Sequence, residues 1–202
     1  MVVVTDKKRD TIIEGAIKRF MHFGINKTTM NEIAEDLSVS KPSLCYYFPD
    51  KSNLILGVID KIFSDYFEMI EKEHKPEDSL DQTLKTFIEI RHRFFQKYYM
   101  LHLSGASPDS SLNSDILKSH FMKMKEKNLA YHVALFKKAV ENKEIAQVDP
   151  DKMAELYLYS LTGITTLCVM HGNKELLPSK KELKIILERQ LNLSEIFVKG
   201  LK

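Results

Sequence analysis

Apolar side chains return every three to four residues along most of this chain, and the stretches between carry residues that start and stop helices. Ile12, Ile13, Ala16, Ile17, Phe20 and Met21 form one stripe of a helix predicted from about Asp6 to Phe23. Gly24 follows, at the place where a left-handed terminal residue closes a helix. Thr29 and Glu32 then stand as a capping box for a second helix that starts at Met30, with Ile33, Ala34 and Leu37 facing inward. After a turn at Ser38, Ser40-Lys41-Pro42-Ser43 opens a short third helix under a capping hydroxyl, and Val39, Leu44 and Tyr47 complete the inward side. Ala34 falls where the two short helices cross, and only a small side chain lets backbones approach there. A helical hairpin of any purpose would share this spacing. A second helix that leaves small polar groups exposed is what a DNA major groove accepts.

The same signals continue to the carboxyl end. Asp50 caps a long fourth helix on which Leu54, Ile55, Val58, Ile59, Ile62, Phe63, Tyr66, Phe67 and Ile70 recur at helical spacing. A fifth helix, rich in aromatics, is predicted from about Ser79 to Leu103. The serine-rich stretch Ser104 to Ser114, with Gly105 and Pro108, reads as a loop, and Ile116 to Asn142 as a helix again. Asp149 caps the next helix with Pro150 at its first position, running to Gly172. Ser179 and Glu182 form another capping box, for a last helix ending near Gly200. Strand-like alternation is scarce, so the expected class is all-α.

Composition narrows the function classes. Among 202 residues 44% are hydrophobic and only 7 are Gly and 6 Pro, which describes a folded chain and not a disordered one. The net charge of +2 decides nothing about partners. Residues 1–51 hold eight Lys/Arg against seven Asp/Glu, a surplus of one, so a nucleic-acid face must be basic by arrangement, with Lys7, Lys8, Arg9, Lys27, Lys41 and Lys51 on one side. The chain has no His-Glu-x-x-His, no Gly-rich phosphate loop and no serine elbow, and its seven histidines never fall four apart. We therefore expect no enzyme, no metal and no cofactor. Cys45 and Cys168 lack disulfide or metal spacing. The amino terminus is too short in apolar residues for a signal peptide. The tract Leu156 to Met170, 15 residues broken by Ser160, Thr162, Thr165 and Thr166, falls short of the roughly 20 that cross a bilayer. It is expected to be a buried or interface helix of a soluble, cytoplasmic protein without a membrane partner.

Residues 10–56 resemble the tetracycline-repressor (TetR) family of bacterial regulators. The resemblance rests on Ala16 with Phe20, Gly24, Thr28-Thr29-Met30, Ile33-Ala34, Val39-Ser40-Lys41, Leu44, Tyr46, Phe48, Lys51 and Leu54. It implies a three-helix helix-turn-helix DNA-binding head over residues 1–50, and a larger helical ligand-binding and dimerisation body over 51–202, about nine helices in all. It also implies a homodimer joined by the last two helices, acting as a repressor released from a pseudo-palindromic operator by a small lipophilic effector. The fourth helix would carry movement between body and head. The two recognition helices of a dimer would sit roughly 34–36 Å apart, one turn of DNA. Thr29 would meet a phosphate, and Ser40 opens the recognition helix. Lys41, Tyr46, Tyr47 and Lys51 match family contact positions, with Tyr47 equally suited to the core. Pro42 and Ser43 stand where bases are read, by contact with a thymine methyl and by a versatile hydroxyl.

The chain departs from the family pattern at Ser38, where the turn usually has Gly, and at Cys45, where it usually has Tyr. Left-handed backbone at Ser38 would cost roughly 1–2 kcal/mol. Cys45 reads either as a small residue fitted to another operator or as a redox switch. An effector pocket is implied within the body, and its candidate residues are Arg91, Phe94, Tyr98, His102, Met124, Tyr131 and Tyr157, with Arg91, His92, Arg93 and His102 able to hold an anionic head group. The alternative is a regulator working mainly through a protein partner, with DNA binding secondary or controlled at Cys45.

Overall fold

A computed structural model describes residues 7–98, 114–171 and 179–202. Eight helices are found among them: α1 Lys7–Phe23, α2 Met30–Asp36, α3 Lys41–Tyr47, α4 Lys51–Glu73, α5 Leu80–Tyr98, α6 Ser114–Glu141, α7 Pro150–His171 and α8 Lys180–Gly200. No strand occurs among the described residues. The predicted stretch of α5 beyond Tyr98 and the predicted loop over 104–113 lie outside the described residues. Ser114, expected to close that loop, instead begins α6.

The contacts divide the chain into two compact units, one from Met1–Asp65 with Tyr98–His120, the other from Tyr66–Lys97 with Phe121–Lys202. In the first, Ile12, Ile13, Ala16 and Phe20 of α1 are buried with Ile33 and Ala34 of α2, Leu44 of α3, Phe48, and Leu54, Ile55, Val58, Ile59 and Ile62 of α4. Two glycines mark close approaches. A Cβ on Gly15 would stand 2.6 Å from the Leu37 side chain, and one on Gly57 would stand 2.8 Å from the Phe48 ring. That ring carries the Arg9 guanidinium 5.1 Å above its centre.

The second unit holds two apolar clusters. One joins Leu80, Leu84 and Ile88 of α5, Phe136 and Ala139 of α6, Ala154, Tyr157 and Leu161 of α7, and Val198 of α8. The other joins Tyr66, Phe67 and Ile70 of α4 to Phe87 and Ile90 of α5. Buried and half-buried polar side chains of α7 and α8 are matched to one another here. The Tyr157 hydroxyl donates to Ser194 Oγ at 2.9 Å, and Gln190 Nε2 donates to the Leu161 carbonyl at 2.9 Å and to Thr165 Oγ1 at 3.0 Å. Lys143 takes a left-handed φ of 59° at the turn after α6, where the sequence offers no glycine.

His132 of α6 is buried, and its Nδ1 lies 2.8 Å from the Asn128 carbonyl oxygen. A carbonyl only accepts, so Nδ1 carries the proton and Nε2 is the bare nitrogen of the neutral ring. Burial, with the Arg91 charge adding to it and the Asn128 hydrogen bond opposing it, lowers the His132 pKa to about 4 from 6.5. Between those values the unfolded chain takes up a proton that the folded chain refuses, so stability falls as the pH drops. The loss should approach ~3 kcal/mol near pH 4. Urea unfolding across pH 7 to 4 should show this slope, and His132→Gln should flatten it. An unchanged slope in that variant would assign the acid sensitivity to other groups.

Candidate nucleic-acid interface and body cavity

The three short-range features that build the exposed helix were all legible locally. Thr29 caps α2 in a full capping box, its N–H donating to Glu32 Oε2 at 2.8 Å while Glu32 N–H donates back to Thr29 Oγ1 at 3.3 Å. Ser38 bridges α2 to α3 with φ 53°, the left-handed backbone that the family pattern assigns to glycine. Ser40 caps α3, its Oγ accepting from Ser43 N–H at 3.3 Å, with Pro42 in the first turn. α3 then buries Leu44 and turns Lys41, Pro42 and Tyr46 outward, Tyr46 with 83% of its surface exposed. Ser43, Cys45 and Tyr47 are half-buried, and the Tyr47 ring meets Tyr46 edge to face at 5.2 Å. Tyr47 is thus partly buried, as its core position in the spacing requires.

Two candidates are more engaged than the sequence shows. The Thr29 hydroxyl also donates to Glu32 Oε2 at 2.8 Å, so its proton is held inside the capping box and not turned toward a phosphate. Lys51, half-buried at the start of α4, places Nζ 3.5 Å from the Asn26 carbonyl. Asp50 caps α4 through Asn53 N–H at 2.8 Å.

Part of the acidic charge of residues 1–51 is taken up by ion pairing. Arg19 binds Asp36 at 2.7 Å and Glu32 at 3.0 Å. The Thr29 N–H and hydroxyl, then Arg19, hold the Glu32 carboxyl below its ordinary range. Two of the seven acidic groups are thereby ion-paired with one arginine, and Asp50 is occupied in its cap. Lys7, Lys8, Lys27 and Lys41 remain exposed. Sequence reasoning missed Arg19, Gly15 and Gly57, whose partners lie far away along the chain.

In the second unit a cavity opens between α4, α5, α6 and α7, lined by Tyr66, Leu84, Phe87, Ile88, Arg91, Asn128, His132, Tyr157, Leu158 and Leu161. It leaves room for about one water molecule. Of the expected effector residues, Arg91 and Tyr157 line it. Phe94, Met124 and Tyr131 instead pack against the Tyr66 cluster, and the Tyr131 hydroxyl donates to Glu71 at 2.8 Å. The Tyr98 hydroxyl donates to Asp65 at 2.9 Å, within the first unit. His102 lies outside the described residues. Asn128 and His132, which do line the cavity, were not singled out for it, because their distance from Arg91 in sequence gives no local signal.

The α7–α8 pair leaves apolar surface uncovered. Leu156, Tyr159, Leu167 and Met170 are exposed on α7, and Ile196 on α8. The α7 residues step by three, eight and three, one helical stripe with Gly163 at its middle, where an added Cβ would meet nothing within 4 Å. The window Pro150–Met170 is long and apolar enough to cross a membrane by length and composition, 21 residues where the sequence tract gave 15.

The chain is similar to known proteins in sequence and in fold. The family model "Bacterial regulatory proteins, tetR family" matches residues 12–58. The chain is 26% identical over 129 residues to the biofilm operon icaADBC HTH-type negative transcriptional regulator IcaR of Staphylococcus epidermidis, covering 64% of this chain and 68% of that one. It is 28% identical over 105 residues to the HTH-type transcriptional regulator RutR of Escherichia coli, where the match spans 49% of this chain and half of its relative. The crystal structure of a transcriptional regulator from Cytophaga hutchinsonii superposes with a TM-score of 0.85 at 26% identity, over 97% of this chain and 99% of that one.

Proposed function

We propose that this chain, which belongs to the tetR family of bacterial regulatory proteins, represses transcription as a homodimer and releases its operator when a small lipophilic molecule enters the body. It is a DNA-binding transcription regulator and not an enzyme. Beyond that, residues 1–50 act as the DNA-binding part and 51–202 as the effector and dimerisation part, in the cytoplasm. The observation that carries the reading is α3. Its one buried side chain, Leu44, seats it, while Lys41, Pro42 and Tyr46 are offered to solvent from a helix only seven residues long. A helix anchored by one core side chain and otherwise turned to solvent suits a major groove.

In this reading Ser40, Lys41, Tyr46, Tyr47 and Lys51 position the head on phosphates, Pro42, Ser43 and Cys45 meet base edges, and Thr29 approaches the backbone through the start of α2. The partner subunit covers the α7 stripe, with Gly163 admitting close helix approach. That accounts for an apolar surface of membrane-crossing length on a chain whose α8 neighbour alternates Ile196 with Glu195 and Lys199. Release by effector is a shift between two body conformations that bind it unequally.

Selection of bound DNA from a random pool, followed by footprinting at two salt concentrations, tests the reading. A pseudo-palindromic site is expected, with affinity falling steeply as salt rises. Lys51→Ala should weaken all sequences about equally and lower the salt slope by about 1, whereas Ser43→Ala should change the preference among bases. If neither variant alters DNA affinity, α3 and its flank are not the reading surface.

A further inference from the structure

We infer that the cavity of the second unit takes a monocarboxylate with an apolar chain, and that Arg91 is its counter-ion; this rests on the effector-controlled reading above and names the effector class. The starting observation is a cation without an anion. Arg91 Nε is shut off from solvent and has no hydrogen-bond partner. No carboxylate among the described residues pairs with the guanidinium, which lies over the Phe95 ring, 5.3 Å from its centre. Arg91 as a whole is half-buried, but its Nε–H is a donor taken out of water with no partner, which is costly. Burial also pulls the Arg91 pKa below its ordinary value, with Tyr66 and Tyr157 opposing it in part.

A second unmatched group faces the same space. Asn128 Oδ1 is buried without a partner, one turn before His132 on α6. The Asn128 amide can present either its oxygen or its NH2 group, so it can donate beside Arg91 to the second oxygen of a carboxylate. His132 contributes no charge there, since its Nδ1–H is held by the Asn128 carbonyl and the ring stays neutral above about pH 4. The site therefore offers one fixed positive charge, which suits a singly charged anion better than a dianionic phosphate. A planar carboxylate also matches the fork of guanidinium donors. The remaining walls are Leu84, Phe87, Ile88, Leu158 and Leu161, which can solvate only an apolar chain.

Size supplies the switch. With room for about one water, the cavity cannot hold such a chain unless α5, α6 and α7 part around it. The ligand then prefers the opened body over the closed one, the unequal affinity that any ligand-driven shift requires. A neutral lipophile would open the same walls but leave the Arg91 charge unanswered.

The test uses the full chain with straight-chain carboxylates from acetate to decanoate, each beside its matching primary alcohol. Thermal unfolding and operator release are followed on the same samples. A carboxylate within the series should raise the unfolding temperature by several degrees, and its alcohol should not. Arg91→Met should lose at least tenfold in carboxylate affinity while itself unfolding at a higher temperature than the parent, since it removes an unpaired charge; a purely structural arginine would do the reverse. Arg91→Lys, which keeps the charge without the fork, should retain a weakened response and serves if the Met variant does not fold. The inference is overturned if no carboxylate stabilises the parent, if alcohols act equally, or if Arg91→Met responds unchanged. Operator binding that persists without any carboxylate response overturns the effector class and leaves the repressor reading standing. Carboxylate stabilisation in a protein that selects no DNA site supports the site and removes the repressor reading.

Discussion

Replacing Tyr157 by Ala is expected to destabilise the second unit by about 3–5 kcal/mol. Tyr157 is fully buried on α7, with ring centres of Phe197 at 5.3 Å, His132 at 5.9 Å and Phe136 at 6.0 Å around it. Truncation removes the ring that α6 and α8 share as a neighbour, and packing this dense relaxes only in part around the hole. Tyr157→Phe separates the ring from its hydroxyl. It keeps the packing but leaves Ser194 Oγ buried without its 2.9 Å donor, a loss of about 1–3 kcal/mol. Burial already holds the phenol well above its ordinary pKa, so the hydroxyl stays protonated and donating throughout the working pH range. Urea unfolding of the three proteins should rank them parent, Phe, Ala. A loss below about 1 kcal/mol for Ala would mean that the cavity beside Tyr157 collapses freely.

Leu44→Ala should cost about 2–5 kcal/mol in the first unit and remove operator binding. α3 has seven residues, too few to hold a helix in water by propensity, so its existence depends on what it buries. Leu44 is the one fully buried side chain of α3, and the Ser40 cap and the Phe48 N–H bond to the Leu44 carbonyl at 3.0 Å only close its ends. Without the leucine the outward residues lose their fixed register, although none of them has changed. Amide exchange should speed up along α3 while that of α7 and α8 stays near the parent's. Retained operator affinity would show that the outward face of α3 is held by something other than Leu44.

The elements themselves were largely written in the sequence. Capping at Thr29 with Glu32, at Asp50, at Asp149 and at Ser179 with Glu182 was legible because each cap and its partner lie within four residues. Gly24 with φ 83° and Ser38 with φ 53° were likewise legible, since a turn between two helical stripes demands such backbone. Lys143, with φ 59°, was not, because neither glycine nor asparagine stands at that position to signal it. The candidate effector residues fared unevenly for a related reason. Tyr131 and Tyr98 are the right type for a pocket, but Glu71 and Asp65, 60 and 33 residues away, take their hydroxyls.

By itself, then, the sequence determined the all-α class, the place of nearly every helix end and the short third helix with its outward polar residues. All of these follow from repeats of three to four residues and from caps that act across one turn. Only the tertiary structure decided which polar groups are satisfied. Arg19 is ion-paired with Glu32 and Asp36 across 13 and 17 residues, whereas Arg91 finds no carboxylate among the described residues. Gly57 is required because the Phe48 ring comes within 2.8 Å of where its Cβ would be. A charge or a close approach depends on what other segments bring to it, and that neighbour is fixed by packing and not by any local pattern.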